Sequence, residues 1–303
     1  MLKTFKTIFS FLIVNILILS FTTIFCSCKS SSQPKTIKMF NTETHKIEKI
    51  DFNTYLEGVV FAEIGENAPE EALKTQAILA RTFALNFLKN NKSKYENADI
   101  SNDINEAQAY KPNSSNKIKK AVKDTSKIVV KCNNSYINPL FFANSGGVTA
   151  SASEGLNLNE DNYSYIKSIK SPETIENSSS FYWKSSISKN QILNATRNMG
   201  LSLANVSSFL KGELGESGRC KTFIIGGKEV DANTFRIQVG STILKSTLIK
   251  NISVSSSSVT FEGYGYGHGV GLSQEGAIIL ANQGKSYKDI LNFYYSNIKI
   301  IKE

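Results

Sequence analysis

Gly263-Tyr264-Gly265-Tyr266-Gly267-His268-Gly269-Val270-Gly271-Leu272-Ser273-Gln274 carries five glycines at alternate positions around one of only two histidines in 303 residues. Glycine reaches backbone angles closed to other residues and lets another group approach the main chain. Two readings stand side by side. The segment is a wall that presents His268, Ser273 and Gln274 to a large ligand, or it is a glycine-rich strand or bend lying against another backbone. A helix is expected to begin near Ser273 on Ala277, Ile278, Leu280 and Ala281, with a short one after it, Tyr287 to Tyr294.

Far upstream, Leu56, Val59, Val60 and Glu63 recur at i, i+3, i+4, i+7, one face of a short helix. Asp51 or Asn53 would cap its start and Gly65 its end. A second helix is expected from Asn67 to about Asn90, with Pro69 in its first turn and Glu70 as a capping-box partner. Its face of Ala72, Ala77, Ala80 and Ala84 predicts close approach to another element. Lys127–Lys131 and Tyr136–Phe142 read as strands joined by Asn133-Asn134. Ala150 to Ser180 reads as irregular and Gln191 to Gly200 as helical. Thr222–Ile225, Gly226-Gly227 and Phe235–Val239 predict a hairpin or meander. Helices early and late with strands between favour α+β over an alternating α/β fold.

Lys3 and Lys6 precede an apolar run from Ile8 to Cys26, the layout of an export signal. The run is also close to bilayer-spanning length, and Phe25-Cys26-Ser27-Cys28 offers a lipoprotein route. Residues 1–28 are therefore read as signal peptide or membrane anchor, residues 29–50 as a Ser/Lys/Gln-rich spacer, and 51–303 as a domain on the extracytoplasmic side. Cys132 and Cys220 form one bridge or stay as two thiols, since two cysteines make no disulfide scaffold. The net charge of +9 falls by two when Lys3 and Lys6 leave with the signal. A basic exported domain suits anionic wall polymers. Scattered lysines without an arginine stripe exclude a nucleic-acid partner.

Glu63 shares its stripe with apolar residues, so its carboxyl is expected to face a buried or cleft environment. Burial raises a carboxyl pKa, as a general acid at neutral pH requires; the bland alternative is a structural ion pair. Arg81 interrupts an apolar helix face and needs a fixed acceptor, so it either pairs with Glu63 or positions a ligand. Nothing near His268 completes a metal set, which leaves it as a wall residue or auxiliary acid/base. No Gly-x-Ser-x-Gly elbow surrounds a serine. Ser145-Gly146-Gly147 is an exposed turn or a loop of ligand-facing amides; Ser217-Gly218-Arg219 reads as a plain turn.

Together these pieces resemble one family. Glu57-Gly58-Val59-Val60-Phe61-Ala62-Glu63-Ile64 and Pro69-x-Glu71-Ala72-Leu73-Lys74-x-Gln76-Ala77-x-x-Ala80-Arg81-Thr82 are similar to the opening of the stage II sporulation protein D family, which includes amidase enhancers. Phe142-x-x-Ser145-Gly146-Gly147 resembles its middle, and Gly265-x-Gly267-His268-Gly269-Val270-Gly271-Leu272-Ser273-Gln274-x-Gly276-Ala277 its closing signature. The resemblance implies a β-rich, two-lobed α+β extracytoplasmic domain, with early and late helices flanking a central cleft. It implies a lytic transglycosylase that cuts peptidoglycan glycan strands, in the setting of sporulation engulfment, beside an amidase partner that strips stem peptides. Glu63 and Arg81 are then the expected catalytic residues. Gln76, Ser145, Gly146, Gly147, Gly267, His268, Ser273 and Gln274 are the expected substrate contacts. At least one family member carries a zinc site, but the matching region here offers only Cys132, so no metal or other cofactor is expected. Glu275 stands where an aromatic residue is common. The competing expectation is a wall-binding activator of an N-acetylmuramoyl-L-alanine amidase that does not itself cut glycan; a structural envelope protein is a third.

Overall fold

Asp51 closes the first hairpin and caps the first helix in the computed structural model, which describes residues 33–112 and 115–303. The segment read as a signal or anchor lies outside the described residues. Strands β1 (Thr36–Asn41) and β2 (Lys46–Asp51) pair antiparallel, and β3 (Ile100–Ser101) joins β1 in parallel. Residues 36–50, expected to be spacer, are thus part of the fold. Ile37 and Met39 explain why: both are buried in the same core as the first two helices, and burying an aliphatic side chain is worth about 1.5–3 kcal/mol.

Helix α1 (Phe52–Ile64) starts where the Asp51 side chain accepts the N–H groups of Asn53 and Thr54, and it stops at Gly65 with φ +72°. Helix α2 (Glu70–Asn90) starts later than expected, with Pro69 at its N-cap and no side-chain cap bond. Its alanine face is fully buried, and Leu56, Val59 and Val60 of α1 meet it in one cluster. Helix α3 (Asn116–Asp124) was not foreseen, because lysines surround its few apolar positions. Ile118, Ala121 and Val122 nevertheless face the core.

Strands β4 (Ile128–Cys132) and β5 (Ser135–Tyr136) form the expected hairpin, with Asn133 and Asn134 both at positive φ as a type I′ turn needs. Strand β6 (Phe141–Phe142) is separate. The region read as irregular contains a short helix, α4 (Ala152–Leu156). Strand β7 (Tyr182–Ser188) leads through a Ser188/Gln191 capping box into α5 (Lys189–Asn198). Strands β8 (Phe209–Lys211), β9 (Thr222–Ile225) and β10 (Lys228–Asp231) follow. Phe235–Val239, expected as a strand, belongs instead to α6 (Ala232–Val239). Asp231 caps this helix by accepting the Thr234 N–H, and the strand across Gly226-Gly227 is β10.

Strands β11 (Ile249–Val254) and β12 (Ser258–Tyr264) lie beside β7, and β13 (Leu272–Ser273) pairs in parallel with β6. Helices α7 (Gln274–Asn282) and α8 (Tyr287–Tyr294) and strand β14 (Lys299–Lys302) complete the chain. Five small sheets and eight α-helices among the described residues make the fold α+β. The β6–β13 pairing places Phe141 opposite Leu272 and Phe142 opposite Ser273. From there α7 carries Ile278 and Ala281 onto the core built by α1 and α2. Cys132 and Cys220 are free thiols, Cys220 being buried in the cluster under β7–β12.

Candidate functional site

Glu63 ends α1 on the face expected for it, with its side chain half-buried. Burial raises its carboxyl pKa above the usual 4.5; the Ala109 N–H, donating to Oε1 at 3.1 Å, and the Gln274 side chain pull the other way. Desolvation wins, so the carboxyl holds its proton more tightly than a solvated one. The Gln274 side chain acts on this carboxyl, and its buried Nε2 makes no ordinary hydrogen bond elsewhere or to Glu63.

Other polar groups on the surrounding elements are also unspent. The Tyr55 hydroxyl, two turns earlier on α1, is buried without a partner and feels the Glu63 charge. Both amide atoms of Gln76 on α2 and of Gln108, beside Ala109, are buried without partners. Native interiors normally satisfy such groups. Here they lie on α1, on the helix packed against it, and beside Ala109, whose N–H binds the carboxyl.

The glycine segment resolves toward close packing. Gly265, Gly267, Gly269 and Gly271 all have positive φ. A Cβ on Gly265 would lie 2.6 Å from the Asn144 carbonyl oxygen, one on Gly267 2.7 Å from Phe142 Cβ, and one on Gly269 2.5 Å from Arg219 Nε. The Ser-Gly-Gly turn is spent in the same way. The Ser145 N–H donates to Glu173 Oε1 at 3.0 Å, the Gly146 N–H to Asn144 Oδ1 at 2.7 Å, and the Gly147 N–H to Ser145 Oγ at 3.0 Å. These amides face the protein rather than an open surface.

Arg219, read as part of a plain turn, is fully buried at the centre of this packing. It donates through Nη1 to Val148 O and Ser217 Oγ, both at 2.9 Å, and through Nη2 to Ser145 O at 2.7 Å. Burial lowers its pKa to about 10, opposed by Glu154 and Glu173, so it remains cationic. Glu154 in turn accepts the Ser217 hydroxyl at 2.6 Å. Glu275 accepts Asn144 Nδ2 at 2.8 Å and the hydroxyls of Ser178 and Ser180. The unusual carboxylate at position 275 therefore ties the loop before β7 to the start of α7.

His268 is half-buried and engaged by backbone. Its Nδ1 accepts the Val270 N–H at 3.1 Å, the Phe141 backbone bonds the ring too, and Phe142 packs at 5.4 Å. Burial, with Arg236 and Arg219 nearby, lowers its pKa to about 4, so it is neutral at physiological pH. The expected Arg81–Glu63 pair is not formed. Arg81 is fully buried on another side of α2, where it donates to Val122 O at 3.1 Å, Ile128 O at 3.3 Å and Thr125 Oγ1 at 3.5 Å. The guanidinium closes the C-terminal end of α3, where a cation meets the negative end of the helix.

The ten residues singled out from the sequence thus fall into three groups. Glu63 and Gln274 meet, with Gln76 on the helix packed against α1. Ser145, Gly146, Gly147, Gly267, His268 and Ser273 belong to the packed loop network that ends at Gln274, and Arg81 stands apart. Sequence reasoning missed Tyr55, Gln108, Glu173 and the role of Arg219; no periodicity marks Glu173, and only the apolar run after Arg219 hints at burial. Among the described residues, no group of three or more His, Cys, Asp or Glu stands close enough to hold a metal ion.

Residues 40–131 match the family model described as stage II sporulation protein. The chain is 28% identical over 282 residues to stage II sporulation protein D of Bacillus amyloliquefaciens, covering 88% of this chain and 79% of that one. It is 27% identical over 291 residues to the protein of the same name from Bacillus subtilis strain 168, covering 89% and 80%. It is also 27% identical over 293 residues to the amidase enhancer of the latter organism, covering 79% of this chain but 39% of that one.

Proposed function

From the premise that this chain belongs to the stage II sporulation protein D family, we propose that it is a lytic transglycosylase of bacterial peptidoglycan with Glu63 as its acid/base. The observation that carries this reading is the raised carboxyl of Glu63, bound by the Ala109 N–H and acted on by the Gln274 side chain and the Tyr55 hydroxyl. In the reaction, the protonated carboxyl gives its proton to the glycosidic oxygen as the bond to the anomeric carbon breaks. The 6-hydroxyl of the same sugar attacks that carbon, and the carboxylate removes the hydroxyl proton. A 1,6-anhydro end and a free 4-hydroxyl result. Because the nucleophile is intramolecular, no second carboxylate is needed to activate a water, unlike in ordinary glycosidases. General acid catalysis of this kind contributes about 10²–10⁴-fold.

Gln274 brings an amide suited to sugar hydroxyls and N-acetyl groups beside Glu63, while the Tyr55 hydroxyl acts on the carboxyl from within the fold. In this reading the strand lies in a cleft between lobes, and His268 and the glycine segment build the cleft wall from behind. The setting is extracytoplasmic, with the chain exported and held at the membrane through its N-terminus. The basic charge suits an anionic wall.

A second reading, a wall-binding activator of an amidase, draws support from the amidase enhancer among the relatives. Incubating the purified protein alone with glycan strands, with and without stem peptides, separates the two. Anhydro-ended fragments in the mass spectrum, most abundant from stripped strands, support the enzyme. Retention on the glycan with no new ends supports the activator.

A further inference from the structure

Glu173 is 1% exposed, in a stretch with no regular secondary structure, and its buried carboxylate serves the loop network. Oε1 accepts both the Ser145 N–H, at 3.0 Å, and the Ser273 hydroxyl. Ser273 in turn caps α7 by accepting the Gly276 N–H at 3.3 Å. Gln274, the next residue, opens α7 and meets Glu63. The second oxygen, Oε2, has no hydrogen-bond partner. Burying a carboxylate this deeply is costly unless several groups satisfy it, and a purely apolar core would serve packing better. Its placement has a use: one carboxylate oxygen clamps the Ser-Gly-Gly turn and the helix cap together.

We propose that Glu173 is a positioning residue that, through Ser273, fixes the first turn of α7 and so holds Gln274 against Glu63. The proposal rests on reading Glu63 as the working carboxyl, but its test does not require turnover. Through this relay the glycine segment acts on the carboxyl without touching a ligand. The close approaches of Gly265, Gly267, Gly269 and Gly271 lock the loop, Glu173 locks the cap, and Gln274 is delivered as a consequence. The other titratable groups acting on this pocket are Tyr55 from α1 and, around it, Glu106 and Tyr110 from the segment after β3. They stay the same in every variant below.

The test is a carbon-13 NMR titration of the Glu63 carboxyl in the full domain. Gln274→Ala removes the amide that lowers the Glu63 pKa, so its midpoint should rise. Glu173→Ala should raise it by the same amount, and the double variant should move no further. Glu173→Gln, whose Oε1 can accept both bonds, should restore the wild-type midpoint. Where Glu173→Ala does not fold, Ser273→Ala cuts the same link and should give the same shift. Glu154→Ala removes a buried carboxylate from the Ser217 side, destabilises the fold, and should leave the midpoint unmoved. In a glycan-cleavage assay, Glu173→Ala should lower kcat about 10²-fold with KM little changed, as expected for a misplaced group. A Glu63 midpoint unmoved by Glu173→Ala or Ser273→Ala, while Gln274→Ala moves it, overturns the proposal; so do additive shifts. Absence of cleavage by the wild type would instead count against the lytic reading alone.

Discussion

The Ala109 N–H donates to Glu63 Oε1 at 3.1 Å, tying the end of α1 to the segment that crosses it. That crossing depends on Gly58: the Lys111 N–H reaches the Gly58 carbonyl at 3.2 Å, and any side chain at 58 would enter the Tyr110 ring. About one and a half turns of helix separate the glycine that admits the segment from the carboxyl it binds. The hydrogen bond alone would favour the ionised form, yet burial outweighs it. Glu63 is therefore held in one orientation with its proton affinity still raised.

The sign of this shift sets a stability prediction. A carboxyl raised above 4.5 in the fold stabilises it in the protonated form, an advantage fully present below that value and lost as pH rises through the folded pKa. Glu63→Gln carries no charge to desolvate. Its Tm should exceed that of the wild type near neutral pH, and the gap should narrow toward pH 4.5. Thermal melts across this range check it; a neutral-pH loss of Tm would contradict burial as the dominant cause.

Arg81→Lys should lower stability by about 2–4 kcal/mol, because a lysine cannot reach three acceptors arranged around a planar fork. The NMR midpoint of Glu63 should not move. An upward shift of that midpoint would restore the ion pair that the structure lacks.

Gly271→Ala should be the most damaging change in the glycine segment. Its Cβ would run into the Leu140 carbonyl oxygen, and φ is +82°. Backbone cannot yield there as a flexible side chain can, so a loss of about 3 kcal/mol or more is expected. Chemical denaturation would measure it, and a stable Gly271→Ala protein would refute the packing account of the alternation.

His268 is a further test. With its pKa lowered from 6.5 to about 4, the folded state prefers the neutral ring, so its stability contribution is present above pH 6.5 and is lost as pH falls toward 4. His268→Gln should flatten this acid-side decline, and the pH profile of glycan cleavage should show no histidine limb near 6.5 in the wild type. A cleavage limb there that His268→Gln abolishes would make the histidine an acid/base after all.

Much of this architecture was written in local pattern. The Leu56-Val59-Val60-Glu63 stripe, the Asn133-Asn134 turn and the Ser273 cap each declare themselves through spacing or backbone preference. Phe235–Val239 misled because apolar and polar residues alternate there, whereas Asp231 had already opened a helix. The first hairpin hid in a polar stretch because only Ile37 and Met39 are fully buried there, with Ile50 packed against the same core. At the site, the Glu63 stripe pointed to a buried carboxyl, but partners drawn from distant sequence could not be paired by eye. Arg81 and Glu63 looked complementary and face different neighbours; Gln274 and Glu63, joined in one expected site only through the family resemblance, meet. Long-range contacts of this kind are set by tertiary packing, which no local period encodes.

The most direct measurement compares wild-type protein with Glu63→Gln on peptide-stripped glycan strands, reading 1,6-anhydro ends by mass spectrometry. The account predicts abundant anhydro ends from the wild type and, from a variant that folds and binds the strands normally, a yield lower by about 10² or more. Equal yields from the two proteins would contradict it.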